Sequence, residues 1–105
     1  MKVKDGVELK DLNIVMRPAL MAADKIWSKH GRELVITSTG DGVHSPASLH
    51  PYGYAFDCRT RYFGAEQILE VARELREALP AGFQVIVEKS HIHVEFDDIL
   101  SERLA

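Results

Sequence analysis

Met16, Leu20, Ala23 and Trp27 recur at spacings of four, three and four, which places them on one face of a helix. Pro18 suits the first turn of that helix, where no amide hydrogen is needed, and Lys29, His30 and Gly31 suit its end. Leu34-Val35-Ile36-Thr37-Ser38 is a short β-branched run that reads as a buried strand. From Tyr54 to Arg59 the chain alternates, with Ala55, Asp57 and Arg59 on one face and Phe56 and Cys58 on the other. Ile68, Val71, Ala72, Leu75 and Leu79 then form an apolar helical stripe between Ala65 and Leu79. Glu66 and Glu70 lie early in that helix, and Pro80 and Gly82 end it.

Two further alternating runs, Phe83–Glu88 and His91–Phe96, are separated by Lys89-Ser90, so they predict a hairpin. Lys-Ser is a poor type I′ pair, which leaves the turn type open. A two-residue turn sets Glu88 opposite His91 and Ile86 opposite His93. Phe83, Val85, Val87, Ile92, Val94 and Phe96 then share the core face, and Glu88, His91, His93 and Glu95 share the other.

Residues 39–53 are rich in glycine, proline and small polar residues and read as a loop, long enough to suggest function. Residues 1–12 are polar without clear periodicity and read as an N-terminal arm or docking segment. The order helix, strand, loop, strand, helix, hairpin predicts an α+β domain with a small, mainly antiparallel sheet and two helices. A chain of 105 residues suits one domain, residues 1–105, with no room for a second.

Composition adds exclusions. Hydrophobic residues make up 46% and charged residues 28%, which excludes a disordered or fibrous chain. The 13 Lys and Arg against 16 Asp and Glu give a net charge of −3, so no basic field favours a nucleic-acid partner. No apolar run approaches a membrane span. The opening Met1-Lys2-Val3-Lys4-Asp5-Gly6 lacks the apolar core of a secretory signal, so synthesis in a cytoplasm is expected. Cys58 is the single cysteine and has no internal partner. Oligomeric state is not legible in this pattern, and a monomer is the simplest expectation.

The histidines change the picture. His30 closes a helix, where a cationic side chain offsets the dipole, but His44, His50, His91 and His93 fall in the long loop and on the polar face of the hairpin. Histidine and carboxylate side chains drawn from loop, strand and hairpin suggest a metal site, with His50, Asp57 and His93 as candidate ligands. The plainer alternative is a pair of exposed strand histidines, with Asp57 answering Arg59 or Arg61.

The stretch Ser48-Leu49-His50-Pro51-Tyr52-Gly53-Tyr54-Ala55-Phe56-Asp57 fits S-x-H-x-x-G-x-A-x-D, and His91-Ile92-His93 follows. This resembles the zinc D-alanyl-D-alanine carboxypeptidases, a family that also holds phage L-alanyl-D-glutamate endopeptidases and shares its fold with the hedgehog domain. The small size and Asp41-Gly42-Val43-His44 resemble phage or prophage versions. The resemblance covers roughly residues 34–96.

It implies one zinc per chain on His50, Asp57 and His93, and cleavage of an amide bond in peptidoglycan stem peptides. It also implies that Ser48 orients the site or touches substrate, that Gly53 and Ala55 make room beside the metal, and that His91 stabilises developing charge. Two departures stand out. Ser90 occupies the position where active relatives commonly carry the acid that takes the proton from water, leaving Glu88 as the nearest candidate base. Glu95 shares its face but lies farther along the strand.

Residues 38–46 also lack the arginine that many relatives use to hold substrate. Arg59 or Arg61 could replace it, with His44 lining the cleft. A non-catalytic zinc-binding domain of the same fold is the alternative expectation. Without a leader, action at the cell wall would need a phage-type route of release.

Overall fold

The computed structural model describes residues 1–39 and 53–97. Five strands and two helices carry the fold: β1 (Lys2–Val3), α1 (Arg17–Lys29), β2 (Val35–Ser38), β3 (Ala55–Arg59), α2 (Ala65–Ala78), β4 (Phe83–Val87) and β5 (His91–Phe96). Single 3₁₀ turns at Leu9–Asp11 and Ile14–Met16 lead into α1. The Asn13 side chain accepts from the Val15 amide at 3.0 Å and starts the second of these turns.

The strands lie in the order β1-β2-β3-β5-β4. β2–β3, β3–β5 and β5–β4 are antiparallel and β1–β2 is parallel, so the architecture is the α+β one expected, with a mainly antiparallel sheet. The segment read as an arm or docking segment does dock. Lys2 and Lys4 donate backbone hydrogen bonds to Leu34 and Ile36 at 2.7 and 2.9 Å, adding an edge strand that its polar sequence did not announce.

Both helices pack on one face of the sheet. Met16, Ala23 and Trp27 are fully buried, joined by Val71, Ala72 and Leu75 from α2 and by Ile36, Phe56, Cys58, Ile92 and Val94 from the sheet. Trp27 satisfies its indole N–H by donating to the Arg59 carbonyl at 3.1 Å, which anchors α1 against β3. Arg76 reaches from α2 to the Val85 carbonyl through Nε at 3.1 Å and Nη2 at 2.8 Å, tying that helix to β4.

The hairpin keeps the expected register, with Ile86 opposite His93 and the Glu88 amide donating to the His91 carbonyl at 2.9 Å. Neither Lys89 nor Ser90 has a positive φ, so the turn is not one of the primed types. One face therefore carries the core. The other carries Asp57 and Arg59 on β3, His91, His93 and Glu95 on β5, and Ile86 on β4.

Candidate metal centre

β3 and β5 are neighbours, and their register sets Asp57 directly opposite His93, Arg59 opposite His91 and Ala55 opposite Glu95. Opposed residues on one face of an antiparallel pair have Cβ atoms about 4.5–5.5 Å apart, near enough for short polar side chains to touch. His93 Nδ1 lies 3.0 Å from Asp57 Oδ1, and His93 Nε2 lies 2.7 Å from Glu95 Oε1. His91 Nε2 stands 3.5 Å from the other Asp57 oxygen, while Ser90 Oγ meets His91 Nδ1 at 3.1 Å.

These groups are shielded. The His93, Asp57 and Glu95 side chains are 11%, 13% and 16% exposed, against 29% for His91. The hydrogen bond to Asp57, aided by Glu95, raises the His93 pKa against the opposing effect of burial.

The residues fit a metal cation. A tetrahedral ion bound at about 2.0–2.1 Å by two ligands separates their donor atoms by about 3.3 Å, close to the 3.0 Å between His93 Nδ1 and Asp57 Oδ1. An imidazole nitrogen and a carboxylate oxygen suit zinc and do not exclude other divalent metals. Cys58 takes no part: it points into the core, and burial, with Asp57 adding to it, pushes its thiol pKa well up.

Of the residues predicted from sequence, Asp57, His91 and His93 come together, and Arg59 shares their face on β3. Glu88 is exposed beyond the end of β4, opposite His91, and its carboxylate has no hydrogen-bond or ion-pair partner among the described residues. His50, Ser48 and His44 lie outside the described residues. Gly53 is crowded from an unexpected side: a Cβ there would stand 2.7 Å from the Asp11 carbonyl oxygen, so its need for room arises from the N-terminal segment.

Two groups of the site are only weakly signalled by the sequence. Glu95 sits two residues after His93 on the same strand face, and that i, i+2 relation was the available signal. Ser38 ends a β-branched run that predicts a strand and nothing more. A bulge between Ile36 and Ser38 brings it opposite Asp57, where its buried Oγ has no hydrogen-bond partner among the described residues.

A second group of donors lies on the helical side. His30, Glu70 and Glu74 place one ligating atom each within 4.8 Å of one another and could hold a metal ion. Here His30 Nε2 and Lys29 Nζ both contact the Glu74 carboxylate, and Gln67 Nε2 stands 3.4 Å from His30 Nδ1. The hydrogen bond from Lys29, then that from His30, lowers the Glu74 pKa.

No protein-family model matches the chain, and no curated protein matches it. No helix among the described residues is long and apolar enough to cross a membrane.

Proposed function

We propose that the protein is a zinc-dependent peptidase that hydrolyses an amide bond in peptidoglycan stem peptides. The observation that carries this reading is the Asp57–His93 donor pair, 3.0 Å apart on the sheet face opposite the helices. His50 would be the third residue to hold the ion. When bound, zinc lowers the pKa of water to about 7 and polarises the scissile carbonyl.

The chain's own residues divide the remaining work. Glu95 is engaged by His93, so among the described residues Glu88 is the acid on this face with a carboxylate available to take a proton from water and return it to the leaving amine. It lies diagonally across the strands from His93, where Cβ atoms are about 7 Å apart, a span bridged by one water. His91 faces Asp57 with its ring turned by Ser90, and donates to charge developing on the carbonyl oxygen. Arg59, with Ser48 and His44, contacts the substrate peptide.

Ser90 favours a second reading. A hydroxyl bonded to His91 stands where active relatives of the resembled family carry an acid, which suits a zinc-binding domain without catalysis.

Metal content by mass spectrometry, on protein purified without a metal-affinity tag, tests the reading. About one zinc per chain, lost in His93→Ala, is expected. Zinc that survives His93→Ala but is lost in Glu74→Ala moves the site to the helix pair and overturns it. Digestion of purified cell wall then separates enzyme from binding domain. Glu88→Gln lowers the rate about 10²–10⁴-fold if Glu88 is the base. Wild-type protein loaded with zinc that cleaves no wall peptide leaves the binding domain.

A further inference from the structure

We propose that Glu95 is a positioning residue: it accepts the Nε2 hydrogen of His93 and thereby turns the Nδ1 lone pair toward a metal beside Asp57. The inference rests on the zinc reading of the Asp57–His93 pair and adds which ring nitrogen binds and what selects it.

A neutral imidazole has one donor nitrogen and one acceptor nitrogen, and the partner of the donor decides which is which. Both His93 nitrogens have carboxylate neighbours, Asp57 on Nδ1 and Glu95 on Nε2. The two carboxylates are not equivalent. Asp57 arrives from the neighbouring strand, with its second oxygen toward His91, where an ion could be shared. Glu95 lies on the same strand as His93 and reaches only the far edge of the ring.

The 2.7 Å contact of Glu95 has the length of a charge-assisted N–H···O⁻ bond, in a place where the ring is 11% and the carboxylate 16% exposed. Water therefore competes poorly for Nε2–H. A carboxylate on the outer nitrogen fixes the tautomer and makes the inner nitrogen a better donor to metal. Without it, the ring can turn over and offer Nε2 instead, which moves the ligating atom.

The test uses the full-length, metal-free chain titrated with zinc against a chromogenic chelator, for wild type, Glu95→Gln and Glu95→Ala. Glu95→Ala is expected to weaken zinc binding about 10–100-fold. Glu95→Gln, whose amide oxygen still accepts from Nε2–H, is expected to recover part of that loss. Zinc affinity unchanged in Glu95→Ala overturns the proposal while leaving the metal centre intact.

Nitrogen-15 NMR of the zinc-loaded wild type gives a readout that needs no variant to fold. A His93 ring protonated at Nε2 and coordinated through Nδ1 supports the role of Glu95; coordination through Nε2 overturns it. A wild-type chain that binds no zinc, or binds it equally well after His93→Ala, overturns the metal reading first and Glu95 with it.

Discussion

Gly53 leads into β3 at a φ of +78°, with its carbonyl accepting from the Asn13 amide at 2.8 Å. An added Cβ would meet the Asp11 carbonyl oxygen at 2.7 Å and the Asn13 nitrogen at 3.1 Å, both backbone atoms that cannot swing aside. Glycine is required by conformation and by space together. Gly53→Ala is expected to lower stability by about 1–3 kcal/mol, read as a shift in the urea midpoint with the slope unchanged. The resembled motif implies a need for room at this glycine beside a metal, whereas the atoms that crowd it come from some 40 residues earlier in the chain, beyond the reach of a local pattern. His93 was legible for the opposite reason: its strand partner Ile86 and its face follow from alternation, a local property. The claim of Glu95 on the same ring was less so, since alternation puts two side chains on one face without saying whether they touch.

At the scale of elements, helix α1 ends where Lys29 and His30 both meet Glu74 of α2. Glu74 is mostly shielded, at 13% exposure, so the contact joins the two helices directly rather than across solvent. The pKa of Glu74 is depressed in the folded state, so this contact stabilises above the unfolded carboxylate pKa and is lost as pH falls through the lower, folded one. Thermal unfolding of wild type and Glu74→Gln, with chelator present, is expected to show a wild-type advantage at pH 7 that disappears in strong acid. An advantage independent of pH would assign the effect to packing instead.

All the longer elements were legible, because stripes such as Ile68, Val71, Ala72, Leu75 and the alternation of β4 and β5 have strong periods. β1 was not. Two residues are too few to show a period, and Lys2–Val3 is a strand only because the edge of β2 accepts it. The approach of His30 to Glu74 is not legible either, since helix periodicity gives a face but not the neighbour it will meet.

For the whole molecule, the sheet order predicts a gradient of protection. β3 and β5 have strand neighbours on both sides, whereas β1 is a short edge held by few hydrogen bonds. Hydrogen exchange is expected to be slowest in β3 and β5 and fastest in β1. If zinc binds Asp57 and His93, saturation at 100 times its dissociation constant adds about 2.7 kcal/mol to global stability, and slows exchange in β3 and β5 about 100-fold. Exchange in β1 through local opening is expected to stay unchanged.

The same order has a consequence for how the molecule holds together. Residues up to Arg59 supply α1 and β1–β3; residues after it supply α2 and the β4–β5 hairpin. Within the sheet, these two halves are stitched along a single seam, where the last strand of the hairpin lies against β3. Asp57 stands on one side of that seam and His93 on the other. An ion held by both, as proposed above, would be a rivet across it: parting the seam would strip His93 from the ion, so its full affinity would belong only to the closed molecule.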